Sequence, residues 1–160
     1  MATDNVYLGN PNLKKANTPI EFTADQISEF MKCKEDPVYF ATNYVKIVSL
    51  DEGLTQFHPY HFQEKLINNF HNHRFNICKM PRQTGKSTTC VSYLLHYAVF
   101  NDSVNIGILA NKAATARELL GRLQTAYENL PKWMQQGIIS WNKGSLELEN
   151  GSKILAASTS

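Results

Sequence analysis

Residues 80–88 of the chain read Met-Pro-Arg-Gln-Thr-Gly-Lys-Ser-Thr. The end of this stretch matches the second half of the pattern Gly-x-x-x-x-Gly-Lys-[Ser/Thr], which forms a phosphate-binding loop when it lies between a strand and a helix. Met80 stands where the pattern has its first glycine, so the tripeptide at 85–87 is weak evidence by itself. Its surroundings support the loop, because residues 75–80 predict a short strand and residues 85–100 predict an amphipathic helix.

The residue types of this loop suit a nucleoside triphosphate with Mg²⁺, most simply ATP. Backbone N–H groups at a helix N-terminus form an anion cradle, and Gly85 lets the backbone approach a phosphate closely. Lys86 can reach the β- and γ-phosphates, and the Ser87 hydroxyl is a ligand for Mg²⁺. The residues predicted to bind the nucleotide within the loop are Gln83, Thr84, Gly85, Lys86, Ser87 and Thr88.

Three further side chains admit two interpretations each. Arg82 can stabilise charge on the γ-phosphate as an arginine finger supplied in cis, or it can be a surface arginine paired with a carboxylate. Phe62 can stack on a base while the Gln63 amide reads the edge of adenine. The other interpretation places Phe62 in the core and Gln63 in solvent, and helical periodicity alone favours it.

Helix signals recur along the chain. Thr23 and Gln26 form a capping-box pattern before one helix, and Asp36-Pro37 opens a second. Three longer helices are predicted, over residues 59–70, 85–100 and 113–130. By contrast, residues 1–22 predict an irregular N-terminal arm, since Asn10-Pro11 and Thr18-Pro19 interrupt regular structure.

Strand signals follow the loop. Residues 104–110 are a nearly continuous apolar run, which is typical of a buried parallel strand. Residues 145–149 alternate with period two, and the turn signal Asn150-Gly151 predicts a β-hairpin that closes with residues 153–157. The order β-α-β-α predicts right-handed crossovers onto a parallel sheet. We therefore predict an α/β fold of the P-loop NTPase type, a parallel sheet flanked by helices, with a β-hairpin near the C-terminus.

Hydrolysis also needs carboxylates that hold Mg²⁺ and polarise water, and the predicted buried strand over residues 104–110 ends without an acid. Asp51-Glu52 follow an apolar stretch, but they precede the loop, and Lys46 and Ser49 interrupt the apolar run. We expect the sheet to be truncated before the acidic (Walker B) strand, which would lie beyond residue 160. On this expectation the isolated chain is inactive, because its catalytic carboxylates are missing.

The composition excludes few classes of protein. The 160 residues carry 16 basic and 14 acidic side chains, and this balance argues neither for nor against nucleic acid. The first twenty residues lack the apolar core of a signal peptide, and no segment approaches eighteen unbroken apolar residues. We expect no contact with a membrane.

These motifs resemble the ATPase domain of large terminase subunits from tailed bacteriophages, in particular those of contractile-tailed (myovirus-type) phages. The Arg-Gln-x-Gly-Lys-[Ser/Thr] form of the loop, without its first glycine, is typical of that family and accounts for Met80. The segments that carry the resemblance are residues 9–17, Phe62-Gln63, residues 81–88, residues 104–112 and residues 137–152.

The resemblance implies a RecA-like (ASCE) fold and a motor that hydrolyses ATP to move double-stranded DNA through a portal into a procapsid. It implies that Lys86 and Arg82 are catalytic and that Phe62 and Gln63 contact adenine. The implied partners are viral DNA, the portal protein and the small terminase subunit, in the host cytoplasm and at the portal vertex. Residues 23–160 would form the N-terminal portion of the ATPase domain, without the nuclease domain. A helicase-like translocase fragment and a non-catalytic nucleotide-binding module are the alternatives.

Overall fold

The computed structural model describes residues 5–159. The helices in this range are α1 (Ala24–Glu35), α2 (Pro37–Tyr44), α3 (His61–Asn72), α4 (Lys86–Phe100) and α5 (Ala113–Glu128). The strands are β1 (Val6–Tyr7), β2 (Asn10–Lys14), β3 (Lys46–Ser49), β4 (Gly53–Gln56), β5 (Asn105–Ala110), β6 (Ile138–Trp141), β7 (Ser145–Leu148) and β8 (Lys153–Ser158). The predicted α/β class is confirmed, and each predicted helix is present within a few residues of its expected bounds.

The first two helices begin at the side chains that the sequence indicated. The Thr23 hydroxyl accepts the Gln26 N–H at 3.2 Å, and the Gln26 amide oxygen accepts the Thr23 N–H at 3.0 Å. Asp36 accepts two backbone N–H groups, at 2.9 and 3.0 Å, ahead of Pro37 at the first position of α2. Each cap satisfies N–H groups that a helix leaves unpaired, and is worth about 1 kcal/mol.

The main sheet has four strands in the order β5-β8-β7-β6. Only β5 and β8 run parallel, from Asn105 opposite Lys153 to Ala110 opposite Ser158, and the other pairs are antiparallel. The predicted hairpin of β7 and β8 is confirmed. The expectation of a parallel sheet is therefore met only by the pair of β5 and β8. The pairs β8-β7 and β7-β6 are antiparallel, because β7 and β8 form a hairpin and the unpredicted strand β6 pairs with β7.

The strand predicted over residues 75–80 does not form. This segment has no strand partner in the described part of the chain, and Phe75 and Ile77 are 84% and 100% exposed. A strand is stable only when a neighbour takes up its backbone hydrogen bonds and covers its apolar side chains. The strand prediction, which rested on the alternating apolar pattern, is therefore wrong for this segment.

Helices α4 and α5 hold the core against the sheet. The buried face of α4 carries Leu95, and that of α5 carries Leu120 and Leu123, which pack in one cluster with Ile154 of β8. Burial of each such side chain contributes roughly 1.5–3 kcal/mol. Since the phosphate-loop sequence leads directly into α4, this packing fixes the helix end to which the loop is attached.

The arm that the sequence predicted to be irregular contains β1 and β2 and packs against the rest of the fold. β2 contains Pro11, which is tolerated because β2 belongs to a two-stranded sheet with a free edge. The Gln135 side chain accepts the Lys14 N–H at 3.0 Å and donates to the Asn12 carbonyl at 2.9 Å. Glu149, at the end of β7, forms an ion pair with Lys14 at 3.4 Å. These bonds to distant residues are what the local sequence could not indicate.

The apolar stretch before Asp51-Glu52 is β3, and it pairs with β4 as an unpredicted antiparallel hairpin. Both acidic residues lie exposed in the turn of this hairpin, and Glu52 accepts a hydrogen bond from Thr55 at 3.2 Å. Gly53, with φ +71°, follows them and turns the chain back. The pair is therefore part of a turn and does not end a central strand.

Candidate functional site

The predicted phosphate loop forms a tight turn at the start of α4. Gly85 caps the helix with φ +74° and ψ +23°, and Gln83 also lies in the left-handed region, with φ +61°. Left-handed residues that follow right-handed ones direct successive N–H groups to one side of the backbone, which makes a concavity for an anion. The Thr84 hydroxyl donates to the Pro81 carbonyl at 2.9 Å and closes the turn. Two left-handed residues in one short turn are therefore a feature that this loop shares with anion-binding turns.

The N-terminus of α4 is electropositive. Its first turn contains no acidic residue, whereas the first turns of α1 and α3 contain Asp25 and Glu64. The partial positive charge of the helix end is thus not neutralised from within the helix. Lys86, the first residue of α4, adds a full charge, and its Nζ donates to the Met80 carbonyl at 2.9 Å. A phosphate would compete with one neutral carbonyl for this ammonium group.

Ser87 and Arg82 are available to a ligand. Within residues 5–159, no hydrogen bond engages the Ser87 hydroxyl, and no carboxylate pairs with the exposed Arg82 guanidinium. The surface ion pair that the sequence left open for Arg82 is thus absent from the described structure. The described residues also hold no cluster of three or more His, Cys, Asp or Glu side chains that could bind a metal ion. A Mg²⁺ ion at this loop would take the Ser87 hydroxyl together with phosphate and water oxygens.

Two aromatic rings stand at the start of α3. Tyr60 and Phe62 stack with their centroids 5.9 Å apart and an angle of 8° between the ring planes. They are 70% and 45% exposed, so Phe62 is not the core residue that periodicity favoured. Sequence reasoning missed Tyr60, although an aromatic two residues before Phe62 at a helix start is a signal that could have been used. Exposed aromatic faces of this kind can stack on a base.

The amide of Gln63 connects the start of α3 to the phosphate loop. Its Oε1 accepts the Tyr60 N–H at 2.8 Å, and its Nε2 donates to the Thr84 carbonyl at 3.2 Å. The residue is 4% exposed, so the alternative of a solvated glutamine is wrong. A Cβ built on Gly85 would lie 2.5 Å from Gln63 Nε2, so any other residue at this position would displace the glutamine amide. The structure therefore brings Gln63 to the loop, with both ends of its amide bonded to backbone.

Thr88, in the first turn of α4, is half-buried. It lines a cavity of about 650 Å³ together with Val45 and Val91, beside strand β3. Its contact with a nucleotide stays a prediction, as do the roles of the other loop residues. The structure places four features next to one another: the loop, the electropositive end of α4, the Lys86 side chain and the Gln63 amide.

Two findings bear on what kind of protein contains this site. No helix among the described residues is both long and apolar enough to cross a membrane. A family profile described as "Terminase large subunit, T4likevirus-type, N-terminal" matches residues 77–160, slightly more than half of the chain. The matched range contains the loop, α4, α5 and the whole main sheet. The chain therefore belongs to the family of large terminase subunits of the T4-like type, and it matches the N-terminal part of that family.

Proposed function

We propose that residues 80–88 bind the triphosphate of ATP with Mg²⁺. The observation that carries this proposal is the combination of two left-handed residues, Gln83 and Gly85, with Lys86 folded across the loop at an electropositive helix end. Backbone N–H groups, a helix dipole and one mobile ammonium group together satisfy a polyphosphate better than any single charge does.

Each side chain of the site has a chemical task in this proposal. Lys86 exchanges the Met80 carbonyl for a phosphate oxygen and neutralises negative charge there. Ser87 would hold Mg²⁺ through its hydroxyl, and the ion would neutralise negative charge on the phosphates. Arg82, free of protein carboxylates in the described structure, reaches the γ-phosphate as a cis arginine. The base stacks on the exposed rings of Tyr60 and Phe62.

Membership of the large terminase family assigns the chain a general role in DNA packaging. We propose the finer activity as ATP hydrolysis that drives double-stranded DNA into a procapsid, with the portal protein and the small terminase subunit as partners at the portal vertex. The RecA-like sheet is part of this proposal. It is supported by the parallel pair of β5 and β8 and by the phosphate-loop sequence that leads into α4.

The test compares Lys86→Ala with Lys79→Ala by calorimetric titration with Mg-ATP. Lys79 is an exposed lysine in the segment just before the loop and serves as the matched control for loss of one positive charge. Loss of charged hydrogen bonds to phosphate is worth about 1.5–3 kcal/mol, so Lys86→Ala should weaken binding roughly 10- to 100-fold. Lys79→Ala should bind as the unmodified chain does. Equal affinity of Lys86→Ala and the unmodified chain would show that the loop is not the triphosphate site.

A further inference from the structure

The proposed function leaves one buried hydroxyl beside the phosphate loop without a task. Thr89, in α4, is 0% exposed, and its Oγ1 donates to the Gly85 carbonyl at 2.8 Å. The Thr89 backbone N–H donates to the same carbonyl at 2.9 Å. The Gly85 carbonyl therefore accepts two hydrogen bonds from one residue, and Gly85 is the residue at which α4 begins.

The Gly85 carbonyl belongs to the peptide group that carries the Lys86 N–H. The C=O and N–H of a trans peptide point in opposite directions, so a carbonyl held along the helix toward Thr89 directs the Lys86 N–H out of the helix end. The first N–H groups of a helix have no partner within the helix. The side chains of Thr23 and Asp36 cap α1 and α2, whereas no side chain among the described residues caps α4. The Lys86 N–H is therefore available to a ligand.

We propose that Thr89 is a positioning residue for phosphate binding, an inference that rests on the proposed function. Its hydroxyl holds the peptide between Gly85 and Lys86 in the orientation that directs the Lys86 N–H at a phosphate oxygen. The second hydrogen bond also polarises the carbonyl, and a polarised peptide group donates a stronger hydrogen bond from its N–H. Thr89 itself touches no ligand, because it is fully buried. Its effect reaches the phosphates alone, so it is the same for any polyphosphate, with or without a base.

A threonine in α5 offers a matched control. The Thr125 hydroxyl donates at 3.1 Å to the carbonyl of Gly121, which is again a glycine four residues earlier. Such a bond is a common way for a helical threonine to satisfy its hydroxyl. The peptide of the Gly121 carbonyl carries the N–H of Arg122, which lies in the interior of α5 and is bonded within the helix. Thr125 therefore makes the same bond as Thr89, at a peptide whose N–H is already occupied.

The experiment measures the affinities of Mg-ATP and of inorganic tripolyphosphate, which has no base. Thr89→Val keeps the branched shape of threonine and removes the hydroxyl, and the Gly85 carbonyl keeps its backbone partner. This variant should weaken both ligands by a common factor of about two- to threefold, the cooperative share of one charged hydrogen bond. Thr89→Ala, which also lacks the hydroxyl, should weaken both ligands by the same factor. Thr89→Ser, which retains the hydroxyl, and Thr125→Val should bind both ligands as the unmodified chain does.

The amide proton resonance of Lys86 gives a second readout, which a purely structural role of Thr89 would not move. Before any ligand is added, this resonance should lie further upfield in Thr89→Val than in the unmodified chain, because the peptide group is less polarised. Thr89→Ser should restore it. In the unmodified chain, tripolyphosphate should move the Lys86 amide proton downfield and leave that of Arg122 in place.

Four results would overturn the inference and leave the proposed function intact. The first is that Thr89→Val and Thr89→Ala bind both ligands as the unmodified chain does. The second is that Thr89→Ser binds as weakly as Thr89→Val, and the third is that Thr125→Val does so. The fourth is a Lys86 amide proton that stays in place when the unmodified chain binds tripolyphosphate, a result that holds whether or not the variants fold. Failure of the unmodified chain to bind either ligand would overturn the proposed function together with this inference.

Discussion

Replacement of Gly85 by alanine should destabilise the protein by about 2–3 kcal/mol. A left-handed backbone costs an L-residue roughly 1–2 kcal/mol, and Gly85 has φ +74°. The new Cβ would lie 2.5 Å from Gln63 Nε2, which is the end of a side chain and can move where backbone cannot. That movement breaks the bond to the Thr84 carbonyl, and the loss of this bond adds on the order of 1 kcal/mol.

Gly53→Ala is the control that measures the cost of the left-handed backbone conformation without a steric contact. Gly53 has φ +71°, and a Cβ there would have no neighbour within 4 Å, so only the cost of about 1–2 kcal/mol for the left-handed conformation applies. Urea unfolding followed by circular dichroism should show Gly85→Ala to be less stable than Gly53→Ala by about 1 kcal/mol. In a Gln63→Ala background the steric partner is gone, and Gly85→Ala should then cost the same as Gly53→Ala.

Two results would refute this reasoning. Equal losses for Gly85→Ala and Gly53→Ala in the unmodified chain would show that the Gln63 amide does not occupy the space beside Gly85. An excess loss that persists in the Gln63→Ala background would show that another group is the steric partner.

Three further predictions address the loop and its surroundings. Gln83→Gly should stabilise the protein by up to about 1 kcal/mol in urea unfolding, because φ +61° strains a glutamine and suits glycine. Ile77→Ser should change the free energy of unfolding by less than about 0.5 kcal/mol, since Ile77 is fully exposed, whereas a loss above about 2 kcal/mol would indicate a buried strand after all. Burial lowers the pKa of His96 to about 4. Because the unfolded histidine binds a proton near pH 6.5, stability should be complete above that pH and fall by roughly 3 kcal/mol toward pH 4. His96→Phe should flatten this slope in urea midpoints measured across the range, and an unchanged slope would exclude His96 as its source.

The helices could be predicted because their end signals are local. Thr23 and Gln26 are three residues apart and bond to each other, so the sequence contains both partners of the cap. Asp36-Pro37 is likewise a complete signal for the start of α2. Apolar periodicity also predicted the helices that contain Leu95 and Leu120, because each of these helices buries apolar side chains at helical spacing.

The strands were predicted less well because each depends on a distant partner. Residues 75–80 and 104–110 both carry apolar strand patterns, but only the second finds a neighbour, β8, nearly fifty residues away. The same limitation explains β3, whose pairing with β4 turned an apparent acidic strand end into a hairpin turn. An apolar pattern shows that a segment is suited to a strand. Whether the strand forms depends on a pairing partner elsewhere in the chain.

For the candidate site, the sequence singled out both the loop and the glutamine that lies beside it. It could not indicate what Gln63 contacts, because the Thr84 carbonyl lies 21 residues away and any backbone carbonyl is an equal acceptor. The sequence could not indicate the hydrogen bond from Lys86 Nζ to the Met80 carbonyl either, because this bond depends on the conformation of the loop. Residue type therefore led to a hypothesis about the chemistry of the site, and the structure supplied the bonds that hold Gln63 and Lys86 against the loop.

The central claim, that the loop binds a nucleoside triphosphate, is tested most directly by amide chemical shifts. The ¹⁵N-labelled chain, with assigned backbone resonances, is titrated with Mg-ATP, and shift changes are mapped onto the structure. The largest changes should fall on residues 83–87 and should disappear in Lys86→Ala. The claim is contradicted if saturating Mg-ATP leaves these amides unmoved, or if the largest changes fall instead around the groove of about 690 Å³ that Tyr93 and Tyr97 line on α4.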